Sequence, residues 1–63
     1  MDPETLELFQ SKIDSNVNFI GAETIKTYIM KEVKGQFCLL HDNIRGYWVH
    51  FSRITLFTAN FDL

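Results

Sequence analysis

Ala22-Glu23-Thr24-Ile25-Lys26-Thr27-Tyr28-Ile29-Met30-Lys31-Glu32-Val33-Lys34-Gly35 is the stretch that decides the fold, because it reads in two ways. As a helix it sets Ala22, Ile25, Ile29 and Val33 on one stripe. Lys31 and Lys34 then suit the negative end of the last turn, and Gly35 its left-handed cap. As a strand it puts Thr24, Lys26, Tyr28 and Met30 on one face and meets the β preference of its branched and aromatic residues. The stripe and the end signals agree, so a helix over 22–34 is the favoured reading and a strand the alternative.

Upstream the pattern is plainer. Asp2 suits an N-cap, Pro3 the first helical position and Glu4 the positive end of the dipole. Leu6, Phe9 and Ile13 recur on one helical face, with Leu8 off it, and the helix is expected to end near Asp14-Ser15-Asn16. Val17-Asn18-Phe19-Ile20 reads as a short extended link.

Downstream, Gln36–His41 and Tyr47–Phe51 read as strands around a turn at Asp42-Asn43-Ile44-Arg45-Gly46. A left-handed bulge at Gly46 would pair Asn43 with Tyr47. Phe37, Leu39 and His41 would then share a face with Tyr47, Val49 and Phe51, and Cys38 and Leu40 with Trp48 and His50. A tight turn at Ser52-Arg53 would lead to a third strand over 54–61, with Ile54 and Leu56 on the first face and Phe57, Ala59 and Phe61 on the second. The expected fold is α+β: an N-terminal helix, a second helix, then a three-stranded antiparallel meander. The alternative is one helix followed by four antiparallel strands. Both faces of such a sheet are apolar, and one, Leu40/Trp48/Phe57/Phe61, is left for something else to cover.

Length and composition bound the rest. Sixty-three residues make one domain, 1–63, and a chain this short buries only about 60% of its unfolded surface. At 46% hydrophobic it is too apolar to be disordered. The single cysteine, Cys38, excludes an internal disulfide, so self-association as a homodimer or higher oligomer is a natural source of stability. A lone thiol and an acidic Met-Asp-Pro-Glu start point to the cytoplasm, of a host cell if the chain is viral. No apolar run approaches the roughly 20 residues of a membrane span, so no membrane partner is expected.

Chemistry is sparse. Cys38, His41, Asp42 and His50 are the nearest approach to a metal set, but the expected register splits them between faces. Cys38 with His50 is the one nucleophile–base pair on offer, without an orienting group or an oxyanion hole. Gly21, Gly35 and Gly46 stand apart, so no phosphate loop is present. No enzyme activity and no cofactor are expected. Six Lys and Arg against eight Asp and Glu argue against an extended phosphate-binding patch. Aromatic residues on a sheet face with basic neighbours nevertheless keep nucleic acid as the second reading. The first is a small non-catalytic module that binds a larger protein, as an accessory regulator or inhibitor of the kind phages and mobile elements encode. Its partner-binding residues are expected to be Arg45, Tyr47, Trp48, His50, Arg53, Phe57 and Phe61, since Trp, Tyr and Arg most often anchor interfaces. An uncharged last strand at a sheet edge would add strand pairing with a second chain.

Overall fold

A computed structural model of the chain describes residues 1–56. One helix, α1 (Pro3–Gln10), precedes five strands: β1 (Asn16–Ile20), β2 (Ile25–Lys34), β3 (Phe37–His41), β4 (Gly46–His50) and β5 (Ile54–Thr55). The strands form one antiparallel sheet in the order β4-β3-β2-β1-β5. The class is α+β; among the described residues there are one helix and five strands, which fits the alternative of one helix followed by an antiparallel sheet, with one strand more, and not the favoured two helices and three strands.

The helix begins where its cap signals lie. Asp2 accepts a hydrogen bond from the Thr5 amide at 2.7 Å, and Pro3 opens the first turn. It ends earlier than its apolar stripe suggests, at Gln10, where the Ser11 hydroxyl donates to the Leu8 carbonyl. Phe9 is buried, whereas Ile13 lies beyond the helix and is exposed.

The expected helix over 22–34 is instead the long central strand β2, hydrogen-bonded to β1 on one side and β3 on the other. Its β-branched and aromatic residues win over the helical stripe because neighbours on both sides satisfy the backbone. A bulge explains why the stripe misleads. Met30 pairs with Leu40 and Glu32 with Leu39, so Lys31 is an extra residue that shifts the alternation. Ile25 and Ile29 therefore face outward while Val33, past the bulge, packs on the core. Gly35 is left-handed (φ +61°), though in the two-residue β2–β3 turn rather than a helix cap.

The β3–β4 register also differs from expectation. His41 pairs with Gly46, closing the four-residue loop Asp42–Arg45, and Leu40 pairs with Tyr47. Asp42 stabilises this longer loop: its Oδ1 accepts the amides of Ile44 (2.7 Å) and Arg45 (2.9 Å). Gly46 does not take the left-handed conformation. It faces His41 so closely that an added Cβ would lie 2.7 Å from Nε2. The pairing is offset from the expected one by an odd number of residues, which turns β3 over relative to β4. Cys38 and Leu40 thus share the inner face with Tyr47 and Val49, and Phe37, Leu39 and His41 share the outer face with Trp48 and His50.

The expected third strand starts at Ile54 as read, but β5 pairs with β1, not β4. The strand covers Ile54–Thr55, Leu56 lies in a bend, and residues 57–61 of the expected strand lie outside the described residues. Only the 3₁₀ turn Phe51–Arg53 separates β4 from β5, although they form opposite ends of the sheet. In a flat sheet those strands would stand about 19 Å apart, four spacings of 4.8 Å. The chain from His50 to Ile54 reaches about 14 Å at most, and less when coiled. The sheet must therefore curl into a partly open barrel, with the Lys31 bulge helping the longest strand bend. Val17, Met30, Cys38 and Leu40 are fully buried on the concave face, joined by Phe9, Ile54 and Leu56. The Phe9 ring meets Phe51 edge-on at 5.8 Å and so ties the helix to the 3₁₀ turn.

Candidate interaction surface

While α1 packs on the concave face, much of the convex face on β2, β3 and β4 is exposed, although Asn18 on the convex side of β1 is buried. Ile20, Ile25, Ile29, Phe37 and Trp48 are all exposed, Phe37 and Trp48 by about half. Strand pairing gathers the aromatic ones. Phe37 lies opposite His50, with their rings perpendicular at 5.5 Å, and Trp48 lies opposite Leu39 in the neighbouring row. Lys34 pairs with Phe37 across the β2–β3 turn, and Lys34, Phe37 and Trp48 line a shallow groove. The result is a flat aromatic strip with a cation at one side.

His50 is held in place. Its Nδ1 accepts the Ser52 amide at 3.2 Å and lies 2.9 Å from the Ser52 hydroxyl, so it caps the 3₁₀ turn. Accepting the amide requires Nδ1 to be unprotonated, which places the proton of the neutral ring on Nε2.

The residues expected to contact a partner do not lie together. Trp48 and His50 are on the convex strip. Tyr47 faces inward, and the Arg45 guanidinium in the β3–β4 loop sits 5.8 Å from the Tyr47 ring centroid. Tyr47 also donates its hydroxyl to Asp42 Oδ2 at 3.3 Å. Arg53 belongs to the 3₁₀ turn. Phe57 and Phe61 lie outside the described residues. Sequence reasoning missed Phe37, Ile25 and Ile29, whose placement depends on the hairpin register and the bulge. The signal that could have found Phe37 is Asp42, whose side chain favours a four-residue loop over a tighter one.

The Cys38–His50 pair does not form: Cys38 is fully buried on the concave face while His41 and His50 lie on the convex one. Burial pushes the Cys38 thiol up to about 11, far from the activated range of a nucleophile. Among the described residues no three or more His, Cys, Asp or Glu are grouped to hold a metal ion. Asp42 carries the one perturbed carboxyl of the loop. The Arg45 amide, then that of Ile44, holds it below its ordinary value.

The edges complete the surface. β4 lies at one end of the sheet, and its residues Gly46, Tyr47, Trp48, Val49 and His50 include no Lys, Arg, Asp, Glu or Pro. Natural edges are usually blunted by such residues, by a bulge or by cover. No helix among the described residues is long and apolar enough to cross a membrane.

Fold and surface together define a small α+β domain built on a curled five-stranded sheet, with a helix on its concave side and an aromatic strip on its convex side. No protein-family model matches the chain, and no curated protein or solved structure matches it either.

Proposed function

We propose that this chain is a small non-catalytic interaction module of a reducing, cytoplasmic compartment. In this reading it associates with further copies of itself and holds a larger protein against its convex face, as an accessory regulator or inhibitor. The observation that carries the reading is the pair of half-exposed aromatic residues Phe37 and Trp48, which with Lys34 line one groove on the face opposite the helix, the one helix among the described residues. Large aromatic side chains exposed side by side in this way often mark a surface that a partner covers. The uncharged β4 edge supports self-association, since an open strand offers unpaired amides and carbonyls to another strand.

Light scattering across a concentration series, together with capture of partners by the immobilised protein, tests both halves. Assembly above the monomer is expected, with Trp48→Ala and Phe37→Ala weakening partner capture while the domain stays folded. A monomer at high concentration, or unchanged capture by both folded variants, refutes the reading.

A second reading has its own observation. The Phe37–His50 ring pair, Trp48 and Lys34 form a stacking surface beside a cation, which suits the unpaired bases of single-stranded nucleic acid. Fluorescence anisotropy with labelled single-stranded RNA and DNA decides it. Binding that weakens steeply with salt and is lost in Phe37→Ala supports nucleic acid; no binding at low salt removes it.

A further inference from the structure

The concave face carries a second feature, separate from the convex strip. The helix packs on that face through Phe9, beside Phe51. Away from the helix residues, Phe19, Tyr28, Leu40, Tyr47 and Val49 line a cleft of about 270 Å3. Three aromatic rings wall it in an edge-to-face series, Phe19 to Tyr28 at 6.3 Å and Tyr28 to Tyr47 at 5.8 Å. The fully buried Leu40 joins the cleft to the core. These rings come from β1, β2 and β4, so the curl of the barrel fixes their spacing.

The size and the charge around the cleft narrow what it can take. A dry cavity of roughly 150 Å3 holds a benzene ring, so this one has room for a single ring and a short side chain. Aromatic walls alone would also welcome a quaternary ammonium. The cations argue against that guest. The Arg45 guanidinium lies over Tyr47, and Lys26 is the cross-strand partner of Phe19, on the same face. The nearby Asp42 carboxylate, bonded to two backbone amides and the Tyr47 hydroxyl, keeps its charge, but with Arg45 and Lys26 beside it these three groups together carry a net positive charge.

We propose that this cleft is a binding site for a small aromatic carboxylate, its ring between Phe19, Tyr28 and Tyr47 and its carboxylate toward Arg45 and Lys26. The ring gains from apolar burial, and the carboxylate from a guanidinium able to donate two hydrogen bonds. The site stands independently of the convex surface and of whatever partner that surface takes.

The test uses the full chain and three probes of one shape: 3-phenylpropionate, 3-phenylpropanol and 3-phenylpropylammonium, followed by amide chemical shifts. Saturable shifts are expected at Phe19, Tyr28, Tyr47 and Val49, with a dissociation constant of about 1 mM for the carboxylate. The carboxylate should bind about three- to tenfold more tightly than either analogue, as one partly exposed ion pair allows. In the double variant Lys26→Gln/Arg45→Gln, which changes only exposed side chains, that preference should vanish while the ring still binds. The proposal is overturned by any of four results: no saturation by about 10 mM, shifts centred on Phe37 and Trp48, tightest binding of the ammonium, or a carboxylate preference that survives the double variant.

Discussion

Truncating Leu40 and Trp48 separately tests the hairpin register, because the expected pairing sets both side chains on one uncovered face, whereas the observed pairing turns Leu40 into the core and leaves Trp48 outside. In the structure Leu40 is fully buried and Trp48 is half exposed. Leu40→Ala removes apolar atoms from the middle of the core and leaves a void that the surrounding strands cannot close. Such truncations cost about 2–5 kcal/mol. A 63-residue domain has about 3–9 kcal/mol of total stability, so Leu40→Ala is expected to consume a large part of it. At about 4–8 °C per kcal/mol for a domain this small, a 3 kcal/mol loss lowers Tm by about 12 °C or more. Trp48→Ala is expected to cost about 1 kcal/mol, the scale of a side chain with little core contact. Urea and thermal unfolding followed by circular dichroism give both values. The measurement belongs at low protein concentration, where self-association through the β4 edge adds nothing to apparent stability. A Trp48→Ala cost equal to or above that of Leu40→Ala would refute the register and the assignment of the two faces.

Three further outcomes follow from local geometry. Asp14 is left-handed at φ 72°, so Asp14→Val should cost about 1–2 kcal/mol more than Asp14→Asn in urea unfolding. Equal costs would mean that the backbone at this position does not select its residue, since both variants lose the exposed 2.7 Å ion pair to Lys31. Cys38, buried and with its thiol near 11, should react with a disulfide reagent at pH 8 no faster than the domain opens, and rapid labelling of the folded protein would contradict its placement. The Asp42 carboxyl is held below its ordinary value of 3.8 in the fold, so its charge stabilises the loop above that pH and the benefit is lost as pH falls through the folded value. Asp42→Ala should therefore be less stable than the parent at neutral pH, with the gap narrowing in acid; a gap that widens in acid would reverse the sign.

Local signals were legible in the sequence, and long-range ones were not. Asp2, Pro3 and Glu4 mark the helix start because capping acts within one turn. The strands around residues 37–41 and 46–50 are readable from their composition, and so is the Asp42–Arg45 turn. The β2 segment is not, because Lys31 is a bulge residue and breaks the alternation that would have identified a strand. Ile25, Ile29 and Val33 recur at helical spacing, and the bulge divides them between the two faces of the sheet. The β3–β4 register turns on one loop, where the carboxylate of Asp42 outweighs the conformational freedom of Gly46. The pairing of β5 with β1 has no local signal at all, since it depends on the curl of the whole sheet. For the candidate surface, Trp48 and His50 were identifiable as outward-facing, but their neighbour Phe37 was not, because its face follows from that register.

The three-residue link between β4 and β5 also sets an order of events in folding. The three hairpins join neighbours in sequence and can zip locally, whereas Phe19 and Ile54 must meet across 35 positions. Closing that long loop costs entropy that, among the described residues, two residue pairs then offset. The β5–β1 contact should form last and open first, so amide exchange in the native protein should be fastest along that seam. The barrel behaves as a clasp on a pre-formed ribbon, and its free energy of opening is smaller than that of the ribbon itself.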